Sequence, residues 1–258
     1  MSLVGGVESR AESGLDPALG IAQVKALRVA SDASARQTDE AVVVEAPFQI
    51  MKDGEVLATT MRTPGHDEEL THGFLLAEGQ LAGAGDARAP VRRGTLSSAA
   101  CGVCGRDGID DLVAWLSPVA CTTRFSRSTL SVLTDNLSRH QPTFARTGGL
   151  HAAGLADTAG NFLIVREDVG RHNAVDKVLG RAFLNGLLPL SHHVLVVSGR
   201  TSFEIVQKAV AAQVPALVAV SAPSSLAIEL AERFGVLLIG FARAGGFTAY
   251  AGADRIEA

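Results

Sequence analysis

The sequence predicts an α/β protein, a three-layer αβα core around a largely parallel sheet, and two observations carry that expectation. The second half of the chain alternates short, almost wholly apolar runs with longer segments whose apolar residues recur at helical spacing. The apolar runs place Val, Ile, Leu and Ala on consecutive positions, the pattern of strands covered on both faces. Such strand–helix alternation closes into a sheet with helices on both sides.

In chain order, residues to about Arg36 mix Gly, Ala, Ser and scattered charges without periodicity, and read as a poorly ordered arm over 1–36. Val42-Val43-Val44 and Phe48-Gln49-Ile50 look like strands, Asp53-Gly54 is a hairpin turn signal, and Val56 to Met61 forms the return strand. Thr63 to Glu69 opens a helix with acidic residues in its first turn, where the helix dipole favours them. Leu70, Phe74 and Ala77 give it an apolar stripe, and Gly79 is a stop. A basic stretch with Arg92, Arg93, Gly94, Ser97 and Ser98 leads to Cys101-Gly102-Val103-Cys104-Gly105 and Gly108, a glycine-rich segment that reads as a mobile loop. Leu130, Leu133 and Leu137 mark a helix over 128–139. Strands follow at 161–166, 194–198, 216–221 and 236–241, with helices at 173–185, 202–213 and 225–234. The division expected is a smaller N-terminal α+β subdomain over 37–125 carrying the cysteine loop, then an α/β domain over 126–258.

Composition narrows the function classes. At 258 residues, 47% hydrophobic and 19% charged, the chain can bury a sizeable core and is too apolar for disorder. A net charge of −4 points to neither nucleic acid nor an anionic membrane as partner. No apolar run approaches the ~20 residues that span a bilayer. Three cysteines are a poor basis for a disulfide scaffold, so a reducing, cytoplasmic setting is expected.

In an open α/β sheet, ligands collect beyond the carboxyl ends of the strands, where helix N-termini present free N–H groups. Three polar loops are expected there: Glu167 to Asn173, Ser198-Gly199-Arg200-Thr201-Ser202, and Ser221-Ala222-Pro223-Ser224-Ser225. Arg171 and Arg200 could clamp phosphates, with His172, Thr201 and the serines adding polar groups. Simple helix capping explains the same residues equally well, and Thr201-x-x-Glu204 has the form of a capping box. No Walker A loop or GxGxxG is present. Asp168, His172 and Asp176 at spacing four predict one helix face, either a functional group or a solvated ion-pair row. His66, His140 and His193 are expected to be structural or exposed.

Cys101 and Cys104 admit three chemistries. Structural zinc needs four ligands, and this chain offers one pair with no spaced histidines after it, so no metal site is expected. A thioredoxin-like site places its first Cys at a helix N-terminus, which the surrounding glycines disfavour. A persulfide carrier needs exposure, mobility and nearby positive charge to stabilise the thiolate, and Arg92, Arg93 and Arg106 supply the charge. Cys121 lies apart and reads as an inert core thiol.

Several runs together resemble the FdhD family, the formate dehydrogenase accessory sulfurtransferases. They are Met61 to Leu70, Cys101 to Gly105, Thr147 to His151, Arg166 to Lys177, Val197 to Glu204 and Ser221-Ala222-Pro223, spanning about Glu45 to the C-terminus. The resemblance implies a homodimer with a core similar to cytidine deaminase. It implies that sulfur is accepted from a cysteine desulfurase and delivered to the molybdenum cofactor, bis-molybdopterin guanine dinucleotide, before insertion into formate dehydrogenase. Guanine nucleotides would serve as surrogates for that ligand. By motif match, Cys101 carries the persulfide and Cys104 is a supporting thiol. The family's cofactor-binding stretch falls on Phe241-Ala242-Arg243-Ala244-Gly245-Gly246, whose Ala244-Gly245-Gly246 is poor in polar side chains and leaves the contacts to backbone N–H groups. Zinc deaminases use an H-x-E sequence followed by a cysteine pair. Here His151 is followed by Ala152-Ala153, and the cysteine pair comes before it. A second reading is a cofactor-binding chaperone that carries no sulfur.

Overall fold

The computed structural model describes residues 20–81 and 113–257. Its centre is a six-stranded mixed sheet in the order β11-β10-β9-β8-β6-β7. The strands are β6 (His151–Asp157), β7 (Phe162–Asp168), β8 (His193–Val197), β9 (Ala216–Ala219), β10 (Leu237–Arg243) and β11 (Gly246–Ala251). β8, β9 and β10 are mutually parallel; β6 is antiparallel to both β7 and β8, and β11 is antiparallel to β10. β7 therefore points the same way as β8, β9 and β10.

One sheet face is covered by α4 (Arg171–Leu184), α5 (Phe203–Ala211) and α6 (Ser225–Phe234), which share an apolar core with the strands. The opposite face is covered by α2 (Arg127–Ser138), through Leu130, Leu133 and Leu137. The three layers are as expected, and the helix boundaries fall within a few residues of the apolar patterns. The expected sheet was more parallel than the one found. The sequence reading passed over β6, because His-Ala-Ala-Gly-Leu-Ala-Asp lacks the β-branched and aromatic residues that mark strands. Small residues are needed there: a Cβ on Gly154 would stand 2.5 Å from the Phe162 ring.

The N-terminal part contains two hairpins. β3 (Ala46–Lys52) and β4 (Glu55–Arg62) pair through the Asp53-Gly54 turn, where φ is 52° and 82°, as a two-residue hairpin turn with both central residues left-handed requires. β1 (Ile21–Val29) pairs antiparallel with β2 (Ala35–Val43). This corrects the reading of an arm over 1–36: residues from Ile21 onward belong to a hairpin, and Val42 pairs with Ala22.

α1 (Asp67–Ala77) ends where expected, with Gly79 at φ 67°. It packs along α4 at very short range. A Cβ on Gly73 would fall on the Asp176 carbonyl, and one on Gly180 would fall on the Glu69 carbonyl. The two helices therefore touch backbone to backbone, with Glu69 held by both guanidinium nitrogens of Arg166 that face it. The Asp176 carboxyl is buried on α4 and bound to Lys208 of α5 at 2.6 Å. Burial lifts the pKa of this carboxyl from 3.8 to about 6, against the pull of Lys208.

Two stability predictions follow from these contacts. Alanine is the better helix former by about 1 kcal/mol, yet Gly180→Ala should destabilise the protein by about 3 kcal/mol, because the helices cannot approach with a methyl between them. An unchanged urea midpoint would contradict the backbone contact. Because the folded pKa of Asp176 is raised, its contribution is greatest below its unfolded value and declines as pH rises towards 6. Lys208→Met leaves the carboxylate buried and unpaired once ionised, so its cost should reach about 3–5 kcal/mol at pH 8. The cost should be clearly smaller at pH 5, where the carboxyl stays protonated; a pH-independent difference in denaturation would contradict the pairing.

Candidate functional site

Strand direction gathers five loops at one edge of the sheet. The carboxyl ends of β7, β8, β9 and β10 lie there, together with the amino ends of β6 and β11. The three polar loops chosen from sequence are thus neighbours, joined by the turn before His151 and by the β10–β11 turn. Thr201 N–H donates to the Ala222 carbonyl, Ser224 N–H to the Thr201 carbonyl, and Phe241 N–H to the Ser221 carbonyl. These bonds lock the second, third and fifth loops together.

The first loop is set by Asp168, which is fully buried. One carboxylate oxygen accepts from Gly170 N–H at 2.8 Å and from the Asn173 amide at 3.0 Å. The other meets Lys177 Nζ at 2.7 Å and Thr63 N–H at 3.2 Å. Lys177 also donates to the Thr63 carbonyl, and Asn173 to the Met61 carbonyl. This network fixes the start of α4 and hence the position of Arg171.

Asp168, His172 and Asp176 do not form a solvated row. Asp168 ends β7 and Asp176 lies on α4, and both are buried, each with its own lysine. His172 turns toward α5, with Nε2 at 3.0 Å from both Ser202 Oγ and a Glu204 carboxylate oxygen. That contact also undoes the expected capping box. Glu204 is taken by His172, and the N-cap of α5 is Ser202, whose side chain caps nothing.

The edge carries a cleft of about 460 Å³ lined by Gln141, Phe144, Gly148, Gly149, Leu150, His151, Ser198 and Val220. Gln141 and Phe144 belong to the short helix α3 (Pro142–Thr147) and the residue before it. A Cβ on Gly199 would touch His151 Nδ1 at 3.4 Å and Arg171 Cδ at 3.7 Å, so Gly199 and Arg171 adjoin the cleft behind His151. Burial, then the charges of Arg171 and Arg200, lowers the pKa of His151, which leaves the ring neutral near pH 7. Ser198 Oγ is engaged by Ala152 N–H at 2.8 Å. Two polar atoms stand out: Arg171 Nε and Thr201 Oγ1 are buried without a hydrogen-bond partner among the described residues. Such groups are costly and rare in folded proteins. Both are suited to an anionic ligand.

Arg171, Ser198, Gly199, Arg200, Thr201 and Ser221 therefore share one region, with Arg200 exposed at its rim. The stretch from Phe241 to Gly246 is a strand end and a tight turn, with Ala244 at φ 50° and Gly245 at φ 77°. Ala242 is buried in the core on the far side of the sheet, and its carbonyl accepts from Thr134. Its side chain is therefore not available to a ligand, whereas Phe241, Arg243, Ala244, Gly245 and Gly246 are exposed. Sequence reasoning missed Gln141, Phe144 and His151 as site residues. The Gly148-Gly149 pair before an apolar run was the available signal for the cleft.

Cys101, Cys104, Arg92, Arg93 and Arg106 lie outside the described residues. Cys121 is half-buried against the main core, with Arg255 Nη1 at 3.5 Å from its sulfur. His66 binds Glu69 weakly at 3.5 Å and, with His140, lines a separate pocket. No helix among the described residues is long and apolar enough to cross a membrane.

Known proteins similar to this chain agree on its kinship. The chain is 43% identical over 268 residues to a sulfur carrier protein FdhD of Streptomyces coelicolor, covering 90% of this chain and 94% of that one. It is 43% identical over 253 residues to the sulfur carrier protein FdhD of Mycobacterium tuberculosis, covering 84% and 92%. A crystal structure from Desulfotalea psychrophila, assigned as a formate dehydrogenase accessory protein, superposes with a TM-score of 0.75 at 25% identity, covering 92% of this chain and 99% of that chain. The FdhD/NarQ family model matches residues 83–257. The chain belongs to the FdhD/NarQ family.

Proposed function

We propose that this protein is a cytoplasmic sulfurtransferase that takes sulfur from a cysteine desulfurase as a persulfide on Cys101 and delivers it to bis-molybdopterin guanine dinucleotide for formate dehydrogenase. The observation that carries the reading is the pair of buried, unpartnered groups at the sheet edge, Arg171 Nε and Thr201 Oγ1, in a chain whose relatives are named sulfur carriers. Phosphates need fixed donors and positive charge, and Arg171, Arg200, Thr201 and the loop N–H groups of Gly199 and Ser221 would provide them. The exposed backbone of Ala244, Gly245 and Gly246 would add N–H donors from the adjoining turn.

The dithiol gives the release step its balance. The outer sulfur of a persulfide is formally neutral, and it leaves as hydrosulfide only if two electrons accompany it. Attack of the Cys104 thiolate on Cys101 Sγ breaks the S–S bond to the outer sulfur, expels HS⁻ and forms a Cys101–Cys104 disulfide. A cellular dithiol reductant then restores the pair. The neutral His151 ring beside Arg171 keeps one nitrogen lone pair free to accept a proton, and gains a positive charge when it does. A homodimer and a core like that of cytidine deaminase belong to the same reading.

After incubation with a cysteine desulfurase and labelled cysteine, mass spectrometry should place labelled sulfur on Cys101, and Cys101→Ala should abolish formate dehydrogenase activation while keeping guanine nucleotide binding. Full activation by Cys101→Ala would instead support a chaperone that shields the cofactor without carrying sulfur. Arg171→Ala should weaken GDP binding about tenfold or more, the worth of a charge-assisted hydrogen bond; unchanged calorimetric affinity would remove that side chain from the site.

A further inference from the structure

We propose that binding of an anionic ligand at the sheet edge is coupled to uptake of a proton by His151, which makes the ring the third cation of the site beside Arg171 and Arg200. This rests on the phosphate reading above and gives that site a residue whose charge the ligand itself switches on. His151 opens β6 and lines the cleft. In the β6–β7 ladder it stands directly opposite Asp168, so both side chains project to the same face of the sheet. A Cβ on Gly199 would lie within 4 Å of both His151 Nδ1 and Arg171 Cδ, so the ring and the arginine stem flank one glycine.

Three charged groups act on the ring, each from a different element. Arg171 begins α4, Arg200 lies in the loop after β8, and Asp168 ends β7. The Asp168 carboxylate is already held by Lys177 at 2.7 Å and by three further donors, so little of its charge is left for the imidazole. Neither arginine has an ion-pair partner among the described residues. An anion seated on Arg171 Nε and Thr201 Oγ1, two of the buried atoms that lack a partner, reverses this balance. Its charge offsets the guanidiniums and favours the imidazolium, in which both ring nitrogens donate hydrogen bonds. A histidine suits the position better than a third arginine, whose fixed charge would repel the other two before the ligand binds. Because the complex then holds more protons than the free protein, affinity rises as pH falls, by at most about tenfold per pH unit for one linked proton.

The test is calorimetric titration of the full chain and of His151→Gln with GDP, in two buffers of different ionisation enthalpy, between about pH 6 and pH 8. The ligand's own phosphate titrates in this range, and comparison of the two proteins cancels its contribution. Wild-type protein should take up more protons per GDP than His151→Gln, and its advantage in GDP affinity should grow by about threefold or more from pH 8 to pH 6. Equal proton uptake in the two proteins overturns the coupling. Nuclear magnetic resonance of histidine-labelled wild-type protein decides the matter without the variant: the His151 resonance should titrate at higher pH with GDP bound, and an unchanged titration overturns the coupling. GDP that binds with no linked proton leaves the phosphate reading standing, whereas wild-type protein that binds no GDP overturns both.

Discussion

A single buried carboxylate, Asp168, organises the part of this protein that can hold a ligand. It sits at the end of β7 with no exposed surface, and four donors from two separate stretches of chain converge on it. A buried charge is tolerated only when it is paired and fully hydrogen-bonded. Thr63, Gly170, Asn173 and Lys177 are consequently not free to move independently. Thr63 lies more than a hundred residues from the others. The carboxylate thus ties the loop before α1 to the first turn of α4, and so sets where Arg171 points.

The same logic extends along α4. Gly73 and Gly180 let α1 lie against it backbone to backbone, and Glu69 joins α1 to Arg166 on the edge strand. Asp176 then links α4 to α5 through Lys208. These polar contacts at a helix interface are specific in direction as well as distance, which apolar packing alone is not. A rigid α4 matters because its amino end places Arg171 beside Gly199 and His151, next to the cleft, and the orphaned Arg171 Nε is useful to a ligand only if it stays in place. The loops themselves are held by main-chain bonds between Thr201, Ala222, Ser224, Ser221 and Phe241. The groove is therefore built before any ligand arrives.

Sequence patterns revealed the elements that local chemistry determines. Asp53-Gly54 and Gly79 require left-handed backbone, and the helix and strand apolar periods of the second half follow from burial of one or both faces. The three polar loops were found by the rule that ligands gather at strand ends. What escaped was decided by distant partners. β6 is a strand by its pairing with β7 and β8, and Phe162 and Leu137 leave no room for a side chain at Gly154, a fact of packing and not of propensity. Thr201-x-x-Glu204 looked like a capping box until His172, from the start of α4, took Glu204. The helical spacing of Asp168, His172 and Asp176 was legible, but their burial depended on α1, α5 and the loop at Thr63. Gln141 and Phe144 are unremarkable in sequence and gain meaning only from the cleft they line.

The central claim is that a guanine nucleotide binds across the sheet edge, where the Asp168 network holds Arg171. Amide hydrogen exchange with and without saturating GDP tests it directly. Protection should rise at Gly148 to His151, Val169 to His172 and Gly199 to Ser202, the loops that meet at this end of the sheet. Nucleotide-dependent protection confined to other segments, with these three unchanged, would contradict the account.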